Sequence, residues 1–359
     1  MTVARPSLKF TSRYWLSSQS LKVAIAIFGL SWLFTTGGLR AQTAEQFFVG
    51  RSLTLLLGGG AGGSVDIYGR LVAQHIVRHL PGAPTIVVRN LPAAGGIQAY
   101  MALANTAPKD GSTFATFARG PLTDPIFDDK PANYDVRKFK WLGSLNDDTS
   151  LCYTLGPSSI KTLDDAQKQE VTMASTGATS ESGKFPLALN AAIGTRFKVI
   201  NGYSGVANTM LAIEAGETDG RCTTLGNLKS TRPEYLQPGK LNILVQIGLR
   251  KTSEFGNAPL ASKLASSGVA QELLNFIAAP IAIDAPFALP EGVPEDIQQI
   301  WQQAFSKMIS DQEFLNDAKK LNFDVRPHSG EEVTEIIRKI YGLSPVAREF
   351  GRKAFSVGK

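Results

Sequence analysis

The sequence predicts an α/β fold with two lobes, each a mainly parallel sheet flanked by helices. Three observations support this: strand-length apolar runs alternate with amphipathic segments, glycine-rich turns join them, and the pattern restarts after a polar, proline-bearing stretch at 124–133. The chain has 359 residues, of which 43% are hydrophobic and 19% charged. This length and composition are typical of a globular protein and suffice for two hydrophobic cores.

The first third of the chain has the clearest alternation of strands and helices. We expect strands at 51–57, 85–89 and 113–117, with helices at 64–80 and 97–105 between them. Strands that alternate with helices in this way pair in parallel, because each crossover helix returns the chain to the end of the sheet at which the previous strand began.

The middle of the chain repeats this alternation, and the last third is mainly helical. The expected strands are 140–145, 150–155, 171–174, 196–201, 218–224 and 241–247. The expected helices are 184–193, 206–215, 259–266, 271–277, 294–310, 312–321 and 331–341.

The net charge of +6 is concentrated at the N-terminus. Of the 37 basic residues, five lie within 1–41, where there is no acid, which leaves 32 basic against 31 acidic residues. This balance argues against a nucleic-acid partner. A basic segment ending at Lys22, an apolar stretch at 23–34 and small residues up to Ala41 predict a signal peptide at 1–41. The alternative is a leader retained as a membrane anchor.

The chain contains two cysteines, Cys152 and Cys222, and both lie in expected strands. In an exported protein such a pair either forms a disulfide or remains as two buried thiols, and the sequence leaves both possibilities open. A disulfide here would close a loop of about 70 residues and stabilise the fold by roughly 4 kcal/mol through loop entropy.

The turn after the first expected strand holds five glycines in the six residues 58–63. A strand that turns through glycine into a helix presents unpaired N–H groups and the positive end of the helix dipole, and this combination binds anions. Gly58, Gly60 and Gly63 also match the G-x-G-x-x-G pattern. An NADP-dependent exported oxidoreductase that uses Gly58–Gly63 is therefore the alternative function.

A second loop, of small and hydroxyl residues at 175–183, also joins an expected strand to a helix. Its N–H and O–H donors either bind the same anion or form an ordinary helix cap. Arg119 follows the third expected strand, and Arg221 lies in a strand-like run beside Cys222. An arginine in such a place is either paired with an acid or presented to a ligand.

Apart from the glycine pattern at 58–63, no pattern in the sequence indicates catalysis or metal binding. His75 and His79 lack a third ligand and are interpreted as a solvated helix face. A Gly-x-Ser-x-Gly nucleophile turn is absent, and the acidic pairs 147–148 and 164–165 are interpreted as surface or capping residues. We predict no enzyme activity, no cofactor and no metal.

Several segments, in chain order, resemble the tripartite tricarboxylate transporter receptors, also called Bug proteins. The first is the loop Gly59-Gly60-Ala61-Gly62-Gly63-Ser64-Val65-Asp66, and Gly202-Tyr203-Ser204-Gly205 stands where the family has P-Y-K-G. The other matching segments are 87–96, 107–113, 215–219 and 290–294. Glu181, within the second loop, departs from the family pattern.

The resemblance implies a two-lobed periplasmic-binding-protein (Venus flytrap) fold that closes on a small carboxylate. The expected boundaries are 42–127 and 246–359 for lobe 1 and 128–245 for lobe 2. The ligand contacts that the resemblance implies are Gly62, Gly63, Ser64 and Asp66 in the first lobe and Ser175, Thr176, Thr179, Ser180 and Tyr203 in the second. Arg119 and Arg221 are further expected contacts because of their places at strands, and Arg221 departs from the family pattern.

We therefore expect a monomeric periplasmic receptor that delivers an organic acid to the permease subunits of a tripartite tricarboxylate-type transporter. The expectation includes no nucleic-acid partner. A sensor or scaffold domain that borrows the fold is a further alternative, and the sequence does not identify the ligand.

Overall fold

The computed structural model describes residues 43–127, 132–178 and 180–356. The predicted signal peptide at 1–41 and the predicted ligand contact Thr179 lie outside these residues. Within them, no helix is both long enough and apolar enough to cross a membrane.

Eleven strands in the described residues form two sheets. In chain order they are β1 (Ser52–Leu57), β2 (Thr85–Asn90), β3 (Thr113–Thr116), β4 (Lys140–Asn146), β5 (Ser150–Leu155), β6 (Val171–Ser175), β7 (Phe197–Asn201), β8 (Gly220–Thr224), β9 (Leu241–Ile247), β10 (Asp284–Leu289) and β11 (His328–Ser329). The six-stranded sheet has the order β11-β4-β10-β3-β1-β2, and the five-stranded sheet has the order β7-β6-β8-β5-β9.

Both sheets are mixed, which corrects the expectation of mainly parallel sheets. In the six-stranded sheet, β1 pairs in parallel with β2 and β3, while β10 and β11 add antiparallel pairs. In the five-stranded sheet, β6 pairs in parallel with β7 and β8, and β5 is antiparallel to β8 and β9. Each antiparallel pair joins strands that are not consecutive in the chain, so the local βαβ pattern does not describe it.

Two strands affect the expected division into lobes. β10 lies in a segment where no strand was expected, because it is buried almost throughout, contains Pro286 and shows no alternation. β4 pairs with β10 in the six-stranded sheet, although its residues were expected in lobe 2. The lobe boundaries stay a prediction, and the pairing of β4 favours a crossing after Asn146.

Twelve α-helices in the described residues cover the sheets. They are α1 (Ser64–Ile76), α2 (Ile97–Asn105), α3 (Gly120–Phe127), α4 (Leu163–Lys168), α5 (Glu181–Ile193), α6 (Val206–Glu214), α7 (Leu225–Thr231), α8 (Gly268–Ala282), α9 (Glu295–Ile309), α10 (Gln312–Lys320), α11 (Gly330–Tyr341) and α12 (Pro345–Ser356). The sequence did not indicate α3, α4, α7 or α12, and the helix expected at 259–266 is only a 3₁₀ turn, Ala261–Lys263.

The largest aromatic side chains lie in the cores beneath the sheets. Trp301 of α9 is fully buried against Phe114 of β3 and donates its indole N–H to the carbonyl oxygen of Gly111 at 3.0 Å. A second core runs between α5, α8 and both sheets, and it includes Phe185, Met173 and Trp141. Burial of these apolar faces, at about 25 cal/mol per Å², is the main force that holds helices against sheets.

Cys152 and Cys222 form a disulfide in the five-stranded sheet. They occupy directly opposed positions on the antiparallel strands β5 and β8, and both side chains are fully buried. Of the two possibilities that the sequence left open, the structure shows the bonded pair.

Candidate functional site

The first glycine loop leads from β1 into α1 and presents the N-terminus of that helix. Gly63 is the N-cap residue, and the loop is exposed from Gly60 to Ser64. The first N–H groups of a helix have no partners within the helix, so those of Ser64 and Val65 are suited to an anion.

Asp66 holds this loop in place from the side of β2. Its carboxylate is buried and accepts hydrogen bonds from the N–H of Gly62, the Arg70 Nε and the Asn90 amide, each at 2.9 Å. Burial alone would raise the pKa of Asp66, but these donors outweigh it and lower the pKa to about 2. Asn90 also donates to the carbonyl oxygen of Gly59 at 2.9 Å. The hydrogen bonds of Asp66 described here therefore support the loop, and a direct contact of its side chain with a ligand stays a prediction.

The second loop is organised by its own hydroxyl groups. Ser180 caps α5 through the N–H of Gly183 and donates to the carbonyl oxygen of Gly177 at 2.7 Å. The hydroxyl of Ser182 lies 2.8 Å from that of Ser180 and accepts from the N–H of Thr176 at 3.2 Å. Buried Ser175 bonds to Gly177 in both directions. Ser182 was not among the expected residues, although it stands within the hydroxyl run that drew attention to the others.

Gly183 is required by the close packing of this loop. A Cβ atom at this position would lie 2.4 Å from the carbonyl oxygen of Gly177, a distance that backbone atoms cannot accommodate without moving. The turn is therefore compact, and it places Glu181 at the first position of α5.

Arg119 joins the two sheets through its guanidinium. It follows β3, and its Nε lies 3.1 Å from Glu181 Oε1 while its Nη2 donates to Glu181 Oε2 at 3.4 Å. Its Nη1 lies 3.2 Å from Asp284 Oδ1 without the geometry of a hydrogen bond. Asp284 begins β10 of the six-stranded sheet, whereas Glu181 begins the helix after β6. The cation thus contacts acids from both sides of the cleft.

A cavity of about 260 Å³ lies between these elements. Its walls include Ser64, Val65, Tyr68, Arg119, Glu181 and Asp284. A second cavity, of about 160 Å³, shares Ser64, Tyr68, Arg119 and Asp284 and extends to Asp148, Lys229 and Arg326. Gly62 and Gly63 adjoin Ser64 in the same loop, and Ser180 borders a further cavity beside Glu181. The structure therefore brings together the start of α1, Arg119 and the start of α5.

In the wall of the 260 Å³ cavity the two carboxylates of Glu181 and Asp284 outnumber the one cation, whereas the adjoining cavity has three acids and three cations. Asp148 is buried, and burial together with the charge of Asp284 raises its pKa, although Arg119 acts in the opposite direction. Burial also raises the pKa of Tyr68 to about 12, with Asp284 and Asp148 adding to the effect. Burial acts to lower the pKa of Arg119, but the three nearby carboxylates outweigh it and raise the pKa, so the guanidinium stays charged.

Two expected contacts lie away from this cavity. Arg221 is buried and bonds to the hydroxyl of Thr209 and, at 3.4 Å, to that of Thr223, on the face of β8 opposite to Cys222. The phenol of Tyr203 donates to Glu217 Oε2 at 3.3 Å, and its backbone N–H reaches the carbonyl oxygen of Ser175 at 3.4 Å. The structure does not bring either side chain to the Arg119 cavity.

Asp148 was interpreted as a surface or capping acid, and only the capping part holds. Its side chain is buried and accepts from the N–H groups of Thr149 at 2.8 Å and Gly226 at 3.2 Å, at the start of α7. Asp165, by contrast, is only half-buried and forms a capping box with Thr162. A repeated Asp-Asp pair thus has two different environments, which local sequence does not distinguish.

His75 of α1 and His79, in the 3₁₀ turn that follows α1, do not form a solvated face. His75 is 1% exposed and its Nε2 lies 3.1 Å from Asp317 on α10, while His79 Nε2 lies 3.0 Å from Asp311. Polar atoms of His75, Glu313 and Asp317 are grouped within 4.8 Å, but Arg78 contacts both His75 and Glu313 there. The guanidinium of Arg78 thus supplies a positive charge beside these carboxylates, in the place that a metal ion would take.

Tyr68, Asp148 and Asp284 are cavity residues that the sequence reasoning missed. Tyr68 stands one helical turn after Ser64, so helical spacing alone could have indicated it. Asp284 and Asp148 reach the cavity only through the pairing of β10 with β4, which brings Asp284 opposite Asn146. No local signal in the sequence contains that pairing.

Two α/β sheets with a polar cavity between them, bordered by helix N-termini, define a solute-binding protein of the periplasmic-binding-protein class. The sequence profile of the tripartite tricarboxylate transporter family receptor, TctC, matches residues 69–340. The chain therefore belongs to this receptor family, as the resemblance of its loops implied.

A sequence relative agrees with this assignment, and solved structures share the fold. The UPF0065 protein in the gbd 5' region of Cupriavidus necator is 26% identical over 329 residues, which cover 88% of this chain and 90% of the relative. A TctC solute binding protein from Polaromonas has a TM-score of 0.66 at 19% identity, covering 84% of this chain and 98% of that structure. The adipate-containing structure of Rpa4515 from R. palustris has a TM-score of 0.59 at 16% identity, covering 84% and 97%.

Proposed function

We propose that this protein captures a small organic acid in the 260 Å³ cavity and delivers it to a tripartite tricarboxylate-type permease. One observation carries the proposal: the first turn of α1, through Ser64 and Val65, lines a cavity whose wall also includes Glu181, at the start of the helix that follows β6 of the other sheet. In a chain of this receptor family, such a cavity is the default place for the ligand.

A carboxylate of the ligand would be held at the N-terminus of α1. The loop residues there are exposed, and Asp66 supports the loop from behind, so the backbone donors are already oriented. A ligand bound between the two sheets would contact both and would favour the closed arrangement over the open one. The adipate found in a structural relative supports an acid as the ligand.

Export and assembly state belong to the same proposal. We propose that residues 1–41 direct the chain to the periplasm and that the receptor acts there as a monomer. N-terminal sequencing of the mature protein and light scattering test these two statements. Uptake of labelled ligand by cells with and without the protein tests delivery to the permease.

Binding is tested first by thermal unfolding of the protein with mono-, di- and tricarboxylates and with NADPH. A ligand at a hundred times its Kd stabilises the folded state by about 2.7 kcal/mol, which shifts the unfolding midpoint visibly. A shift with an acid supports the receptor function. A shift with NADPH alone would instead establish the dinucleotide alternative for Gly58–Gly63.

The substitution Ser64→Asp tests the location of the site. It places a negative charge in the first turn of α1, where the helix dipole tolerates it, but where the ligand carboxylate is expected. We expect the affinity for the acid to fall at least about tenfold, or roughly 1.4 kcal/mol, with an unchanged midpoint of unfolding without ligand. Ser64→Asn is the neutral control and should bind nearly as the original protein does. Equal binding by both variants would place the site elsewhere.

A further inference from the structure

The only cation in the wall of the 260 Å³ cavity, among the described residues that line it, is already engaged by acids. Arg119 contacts Glu181 through Nε and Nη2, and Asp284 lies 3.2 Å from its Nη1. Glu181 thus occupies the two guanidinium nitrogens that could otherwise bind a carboxylate of the ligand.

The cations of the adjoining cavity are also engaged. Lys229 Nζ lies 2.6 Å from Asp324 Oδ2 and 2.9 Å from Glu254 Oε2. The Arg326 Nε donates to Asn146 at 3.4 Å, and its Nη1 lies 3.9 Å from Glu254. The linings described for these two cavities therefore contain no cation without a polar partner.

We propose that Glu181 is a specificity-determining residue that makes this cavity select acids with a single carboxylate over dicarboxylates. The proposal rests on the proposed function and names the class of its ligand. Glu181 acts as a resident second carboxylate: it occupies Arg119, and the ligand's own carboxylate is left to the N-terminus of α1. The far end of the ligand then faces Glu181, Asp284 and Arg119 together.

A dicarboxylate would have to displace Glu181 to reach Arg119. The displaced side chain would remain near Asp284 and Asp148, and the three carboxylates would repel one another in a partly buried place. Glu181 is also fixed at the start of α5, where the helix dipole favours its negative charge. A ligand whose far end donates hydrogen bonds, such as an amide, hydroxyl or ammonium group, meets no such opposition.

Two pairs of matched probes test this selectivity by calorimetric titration. Succinate is compared with its monoamide succinamate, and adipate with 6-aminohexanoate, because the members of each pair have similar size and differ in the charge of one end. For the original protein we expect at least one member with a single carboxylate to bind at least about tenfold more tightly than its dicarboxylate partner. For Glu181→Gln we expect the dicarboxylate of that pair to gain about tenfold, because Arg119 is then released.

Two further variants keep the test decisive. Glu170→Gln removes an exposed acid that pairs with Lys198 at the opposite end of β6, and it should leave every affinity unchanged. Glu181→Asp keeps the charge at the start of α5 but shortens its reach, and it should raise dicarboxylate affinity by a smaller factor, about threefold. It serves if Glu181→Gln unfolds.

The outcomes separate the two proposals. Equal affinities within both pairs, unchanged in Glu181→Gln and Glu181→Asp, would overturn the role of Glu181 and leave the receptor function standing. Binding of no acid by the original protein or any variant would overturn the proposed function and this inference with it. Loss of the preference for the single carboxylate in Glu181→Gln, with Glu170→Gln unchanged, would establish the role of Glu181.

Discussion

The two halves of the cleft hold their loops by different means. In the first, an ionic network of Asp66, Arg70 and Asn90 supports the glycine loop from behind and leaves its backbone donors facing the cavity. In the second, hydroxyls satisfy the loop from within, and the five-stranded sheet behind it carries a disulfide. Under the proposed function, the first half would offer backbone donors to the ligand, whereas the second half would contribute the carboxylate of Glu181.

The largest effect on stability should come from the half of the cleft whose sheet contains the disulfide. Replacing Cys152 and Cys222 together with alanine removes a link between residues 70 positions apart. Without the disulfide the unfolded chain gains conformational entropy. We therefore expect the free energy of unfolding to fall by about 4 kcal/mol, measured by urea unfolding at neutral pH.

The matched control for this prediction is the original protein treated with a reductant. It should approach the stability of the double variant, whereas the double variant itself should not respond to the reductant. If the two proteins unfold at the same urea concentration without a reductant, the disulfide adds nothing to stability.

In the first half of the cleft, loss of the Asp66 charge should have a smaller effect on stability, and this effect should depend on pH. The pKa of Asp66 is lowered from 3.8 to about 2, so the fold favours its charged form. At pH 7 we expect Asp66→Asn to cost about 2 kcal/mol of stability, since each unit of pKa difference corresponds to about 1.4 kcal/mol.

The sign of the pH dependence follows from the lowered pKa. The stabilisation by Asp66 is complete above pH 3.8 and is lost as the pH falls toward about 2. Urea unfolding of the original protein and of Asp66→Asn at pH 6, 4 and 3 should therefore give a stability difference that shrinks with acid. A difference that stays constant across these values would show that the charge of Asp66 is not what supports the loop.

The smallest effect concerns the hydroxyl cap of the second loop. Ser180→Ala removes the acceptor for the N–H of Gly183 and should cost about 1 kcal/mol in thermal or urea unfolding. Ser204→Ala, at an exposed position, is the control and should change stability little. A loss as large as that of Asp66→Asn would mean that the hydroxyl cluster carries more of the fold than a single cap.

The parts of the fold that sequence could predict are those with a local signal. The helix 97–105 and the strands 150–155 and 241–247 appear with the expected bounds, because apolar spacing and turn residues lie within the segments themselves. The glycine loop was also predictable, since only glycine-rich chain turns so tightly from a strand into a helix.

The parts that sequence could not predict depend on contacts between distant segments. Arg119 could be identified as a candidate, but its engagement by Glu181 and Asp284 depends on two sheets meeting. The burial of His75 depends on the packing of α10 against α1, and helical spacing alone suggested an exposed face. Long-range pairing thus decides which polar residues face the cavity and which support it.

Arg119 follows β3 and Asp284 begins β10 of the same six-stranded sheet, so both residues lie in one half of the receptor. Under the proposed hinge motion, separating the two halves would break the contacts of Arg119 with Glu181 only, and the guanidinium would remain beside Asp284. Opening therefore never leaves the guanidinium without an acid beside it, because the contact with Asp284 lies within one half. Of the two acid contacts of Arg119, only the one with Glu181 can favour the closed arrangement, and a cargo that competes for either partner weakens that preference.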